Sequence, residues 1–123
     1  MRRNSRGAVT FEMVILMPVL LAISLGVVHG ALLFYARSVT AAAAQNGARE
    51  AAAEDGSVAA GIATATAFTR AAGTTTLGNV RVDGARNQIG VTITVHARSI
   101  GLVPGLPTDA TWSATLPVER LTR

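Results

Sequence analysis

Residues 14–35 run for 22 positions without an Asp, Glu, Lys or Arg. Nothing else in the 123-residue chain limits its fold so strongly. A helix of that length is roughly 33 Å long at ~1.5 Å per residue, which matches a hydrocarbon core of about 30 Å. The run ends in Phe34-Tyr35-Ala36-Arg37, an aromatic pair followed by a cation whose stem can reach the headgroups. Arg2, Arg3 and Arg6 precede it, whereas Arg37, Arg49 and Glu50 follow at wider spacing. The positive-inside rule therefore predicts a cytoplasmic N-terminus, a membrane helix over 8–37 and residues 38–123 outside. A cleavable secretory signal is a poorer fit. Ala22-Ile23-Ser24 resembles its small-x-small site, but eleven apolar or neutral residues follow before Arg37 is approached, at 25–35.

Glu12 stands at the entry to this run, where a carboxylate costs up to about 3 kcal/mol, less near the interface than at mid-membrane. In the first turn of a helix the macrodipole favours an anion, which explains tolerance but not purpose. No Lys or Arg follows within reach inside the bilayer. A partner would exist if the chain were cut after Gly7. Ala8 would then carry an α-ammonium, and Glu12 would be the fifth residue of the mature chain. Between staggered neighbours, the carboxylate of one subunit would neutralise the amine of the next. Leaving either charge unpaired in an apolar assembly is penalised, so the pair would set the register.

The basic leader MRRNSRG, then Ala8-Val9-Thr10-Phe11-Glu12 and an unbroken apolar helix, resembles the processing site of type IV pilin-like proteins. The resemblance is closest to the TadE-like pseudopilins of Flp/Tad pilus systems, and extends to Leu33-Phe34-Tyr35-Ala36-Arg37 and Gly47-Ala48-Arg49-Glu50-Ala51-Ala52. It covers residues 6–54 well and the C-terminal half in outline. The resemblance implies that a prepilin peptidase cuts between Gly7 and Ala8 and that Glu12 is the assembly residue. It also implies a place in a bacterial cytoplasmic membrane or surface pilus, with other pilins and a Tad assembly platform as partners. Flp-type pilins usually carry Tyr after the glutamate, whereas this chain has Met13, which points to a minor pseudopilin over a major pilin.

Residues 41–44, Gln45 and residues 48–54 are strong helix formers, so the helix is predicted to continue from 8 to about 54, with a bend at Pro18. Ala22, Gly26 and Gly30 recur every four residues, a small-residue face that allows close approach of a second helix. His29, below the outer end of the run, reads as a neutral interfacial residue.

Asp55-Gly56-Ser57 reads as a turn and N-cap for a second helix ending at Gly73, with Val58, Ile62, Ala65 and Phe68 or Thr69 as its apolar stripe. Thr74 to Gly78 is a polar connector. The period then changes to two: Val80 and Val82, an Asp83-Gly84 turn, then Ile89, Val91, Ile93, Val95 and Ala97 facing inward. Pro104 and Pro107 mark a loop, and Trp112, Ala114, Leu116 and Val118 line a last strand, with Trp112 in the core and Pro117 at an edge. The fold expected is α+β and pilin-like: a long transmembrane and stalk helix, a second short helix and a small three-stranded antiparallel sheet.

The sequence pI near 11.4 invites a nucleic-acid reading, but Arg2, Arg3 and Arg6 supply three of the four net charges. The remaining arginines are scattered singly, without the concentrated basic footprint and stacking aromatics such binding needs. With no cysteine, thiol chemistry and zinc clusters are excluded. His29 in the membrane helix and His96 on a strand cannot pair, Asp83, Asp109 and Glu119 read as solvated charges, and no Gly-rich phosphate loop is present. The expectation is no catalytic residue, metal, cofactor or small-molecule substrate. The alternative to a pseudopilin is an uncleaved single-pass anchor whose outer domain binds a ligand through the loop at 100–110.

Overall fold

The computed structural model describes residues 5–73 and 75–118. The expectations for Arg2, Arg3, Thr74 and Glu119 lie outside the described residues. Helix α1 spans Ser5–Ala52 and continues through Pro18; helix α2 spans Val58–Gly73. Three strands follow, β1 at Leu77–Arg86, β2 at Gly90–Ser99 and β3 at Asp109–Pro117, in one antiparallel sheet of order β1-β2-β3. This is the α+β arrangement expected, with a long apolar helix, a short helix and a three-stranded sheet.

The two helices join through a tight reversal. The Gly56 N–H donates to the Ala53 carbonyl (2.8 Å), and Ser57 Oγ accepts from the Ala60 N–H (3.1 Å), so Ser57 is the N-cap of α2. The upper half of α1 lies against β2 and β3, and α2 packs along α1 and meets the sheet mainly at β1. Between them, Ala43, Ala44, Ala48 and Ala51 of α1 and Ala65 of α2 meet Val91, Ile93 and Val95 of β2, all fully buried. Five alanines make this core thin. The helices therefore sit close to the sheet, and the three β2 side chains supply most of its bulk.

The hairpin turn lies later than Asp83-Gly84. Both residues belong to β1, paired with Thr94 and Ile93. Asp83 points to solvent, while Gly84 sits under α2, where a Cβ would come within 2.6 Å of Val58 and 3.2 Å of Ile62. Glycine is there for close approach, not reversal. The chain reverses instead at Asn87, whose Oδ1 accepts from the N–H groups of Ile89 (3.0 Å) and Gly90 (2.7 Å). Ile89 is thus a turn residue, 81% exposed, and not part of the inward face.

Trp112 also departs from expectation. It lies on the helix-facing side of β3 but is 47% exposed. β3 is an edge strand, and the indole shares a shallow recess with Gln45 and Arg49 from the polar side of α1. Ala110, by contrast, is buried, and Ala114 and Leu116 are half-buried. Pro117 is the last residue of the edge strand, as its missing N–H suggests.

Candidate functional site

The N-terminal half of α1 projects from the head without neighbours among the described residues. Gly7, Ala8 and Glu12 are exposed, and a Cβ on Gly7 would meet nothing within 4 Å. The Thr10 hydroxyl donates to the Arg6 carbonyl (2.8 Å), a local contact within the helix. Among the described residues Glu12 has neither a hydrogen-bond nor an ion-pair partner. α1 is already helical at Ser5, so in the uncut chain Glu12 lies at least about two turns in, beyond the reach of the helix dipole. A chain starting at Ala8 would bring it near an N-terminus.

Ala22, Gly26 and Gly30 share one side of α1 by their spacing, and added Cβ atoms at Gly26 and Gly30 would meet open space. Among the described residues nothing lies against this face. The side chains from Val9 to Val28 are overwhelmingly exposed, and α1 is the one helix among the described residues long and apolar enough to cross a membrane.

Burial on α1 begins at His29. From there a stripe through Ala36, Thr40, Ala43 and Gly47 faces the head at helical spacing. His29 is only 3% exposed, covered by the loop between β2 and β3. The Leu102 N–H donates to its Nδ1 (3.3 Å), so Nε2 carries the proton and donates to the Pro107 carbonyl (3.1 Å). The histidine thus holds a loop more than seventy residues away in sequence. Higher up, the Tyr35 hydroxyl donates to the Ala72 carbonyl at the end of α2. Tyr35 thus ties the helices together.

The outer face of the sheet gathers the remaining polar groups. Thr92 meets Thr115 (2.8 Å), Thr94 meets Ser113 (2.8 Å), and His96 Nδ1 meets Thr111 Oγ1 (3.2 Å). His96 Nε2 also lies 3.5 Å from the Asp83 carboxylate, which faces Arg81 at the same distance; Arg98 pairs with Asp109 at 3.1 Å. A hydroxyl, an imidazole and a carboxylate in line evoke nucleophilic catalysis, and sequence reasoning missed this line because it placed Asp83 in a turn. The contact is one rung of a cross-strand ladder, on an open face where water competes for each group. Among the described residues no cluster of three metal-ligating side chains occurs.

The family model described as TadE-like protein matches residues 7–49, which take in the exposed segment from Gly7 and the head-facing stripe through Gly47. No curated protein and no solved structure matches the chain.

Proposed function

We propose, from the TadE-like character of residues 7–49, that this chain is a minor pilin or pseudopilin of a Tad/Flp-type pilus system. Residues 1–7 form a cytoplasmic leader that a prepilin peptidase removes. The apolar half of α1 anchors the subunit in the bacterial cytoplasmic membrane, with the C-terminal domain outside, until the subunit enters or primes a pilus that serves adhesion. The observation that carries this reading is that the family match starts at Gly7, at the proposed cut.

The physical logic supports each step. Gly7 is exposed and without neighbours, as a peptidase substrate must be. The cut creates a cation at Ala8 one turn from Glu12, and Glu12 has no hydrogen-bond or ion-pair partner among the described residues of its own subunit. The Ala22, Gly26 and Gly30 face is free to receive a second helix. The subunit's role is structural, made by helix packing and one ion pair between neighbours, with the Tad assembly platform and other pilins as partners.

The test is the intact mass of the membrane-extracted protein co-expressed with a prepilin peptidase, repeated for Gly7→Ile. Loss of residues 1–7 from the parent but not the variant is expected. An uncut chain in both would overturn the reading and leave an uncleaved single-pass anchor.

A further inference from the structure

We propose that the loop joining β2 to β3, residues 100–108, is a second membrane contact that seats its apolar side chains in the outer lipid surface beside α1. The proposal rests on α1 being the membrane anchor.

The loop is uncharged from Ile100 to Thr108, and charge returns at its root with the Arg98–Asp109 pair. Surface loops are usually polar, because water must satisfy their backbone. Here Ile100, Leu102 and Leu106 stay 44%, 38% and 45% exposed. The head does not bury them, although its core is thin and has few large side chains. The loop is also held in a defined shape. The Ser99 N–H donates to the Thr108 carbonyl (2.7 Å) at its base, and Gly105 takes a positive φ of 84° at its tip.

Its height is set by His29. Both ring nitrogens are committed to the loop, through the Leu102 N–H and the Pro107 carbonyl. The loop is therefore fixed at one level of α1, the level at which protein contact on the helix begins. From Val9 to His29 is 20 residues, roughly 30 Å of helix, which equals the hydrocarbon thickness of about 30 Å. The head covers α1 from His29 onward, so its lipid-facing length ends there and not at Tyr35. A core of that thickness reaching back to Val9 takes in Glu12 just inside its inner border and puts His29 and the loop at the outer one. Exposed apolar side chains then lie both on α1 below His29 and on the loop that His29 holds beside it. A lipid surface fits that placement and the absence of charge better than a soluble partner does. The opposite end of the sheet, at Ile89, stands roughly 30 Å away along β2.

The chain has no cysteine, so single-cysteine labelling is clean. The full chain carrying Leu106→Cys, Leu20→Cys or Ile89→Cys is labelled with an environment-sensitive fluorophore. It is then reconstituted in phosphatidylethanolamine–phosphatidylglycerol vesicles containing lipids quenched near the headgroup or deep in the chains. Quenching of position 106 by the shallow quencher, of position 20 by the deep one and of position 89 by neither is expected. Position 20 quenched with 106 unquenched would overturn the loop contact and leave the anchor standing. Neither quenched would overturn both. Adding His29→Ala to Leu106→Cys is expected to lower the shallow quenching severalfold while position 20 is unchanged. Unaltered quenching there would remove His29 as the residue that sets the loop's height.

Discussion

Gly47 of α1 and Gly61 of α2 meet where the two helices cross, and each occupies space that a side chain on the other would need. A Cβ on Gly47 would lie 2.6 Å from the Gly61 carbonyl oxygen, and a Cβ on Gly61 would lie 2.6 Å from both the Gly47 carbonyl oxygen and the Ala51 Cβ. These neighbours are backbone or short and fixed, so only a backbone shift relieves the clash. Gly61→Ala is expected to destabilise the head by about 2 kcal/mol, the usual scale of overpacking, even though alanine favours helix. Gly26→Ala is the matched control: its Cβ meets nothing within 4 Å, and head stability is expected to stay unchanged. A guanidinium titration of the detergent-solubilised chain, read by the fluorescence of the single tryptophan, Trp112, measures both.

Ile93 is the central side chain of the core. It is fully buried, and its methyl groups approach the spaces left by Gly47, Gly61 and Gly84. It therefore fills volume that three missing side chains create. Ile93→Ala is expected to cost about 4 kcal/mol and Ile93→Val about 1 kcal/mol, in the range of buried large-to-small substitutions. For a head with a core this thin, the first loss is expected to leave it unfolded at ambient temperature. Circular dichroism should then retain the helix signal of the apolar half of α1 while the Trp112 spectrum becomes that of a solvated indole.

The turn at Asn87 leads to a third prediction. Its side-chain oxygen accepts two backbone N–H groups, from Ile89 and Gly90, that would otherwise rely on water. Asn87→Ala is expected to destabilise the head by about 1 kcal/mol, the scale of a net intramolecular hydrogen bond. Gly84→Asn, which suits a turn but not a strand under α2, is expected to be worse, because its side chain must displace Val58 and Ile62. Equal tolerance of the two changes would contradict the register observed for β1 and β2.

That contrast marks what was readable in the sequence. The span of α1 was legible because a long uncharged run followed by alanines admits little but helix. The inward face of β2 was legible because Val91, Ile93, Val95 and Ala97 alternate without interruption. Asp83-Gly84 carries a strong local turn pattern, yet the need for α2 to approach β1 outweighed it. Trp112 follows the apolar alternation of β3, but the helix opposite offers it Gln45 and Arg49 and no pocket. The role of His29 depends on residues 73 and 78 positions further along the chain, and no local pattern encodes that contact. At the proposed assembly site, Gly7, Ala8 and Glu12 stand out as a motif, since the chemistry proposed for them lies in spacing along one helix. Their partners, on the proposed reading, lie in other subunits.

On the proposed reading Glu12 separates folding from assembly. Its carboxylate makes no hydrogen bond or ion pair with a described residue, so Glu12→Gln is expected to leave the Trp112-monitored unfolding midpoint and the proposed cleavage after Gly7 unchanged. If the carboxylate of one subunit meets the Ala8 ammonium of the next in an apolar environment, the same change leaves that ammonium buried and unpaired. Breaking such a pair costs about 3 kcal/mol or more, equivalent to roughly a hundredfold loss in assembly. The measurement is the fraction of cleaved subunit recovered with sheared pili, or cross-linked to neighbouring pilins, from cells carrying the complete pilus system. Parent-like assembly of Glu12→Gln would remove the ion pair from the mechanism. Loss of assembly together with lowered head stability would place the effect in folding, contrary to the exposed, unpartnered position of this side chain.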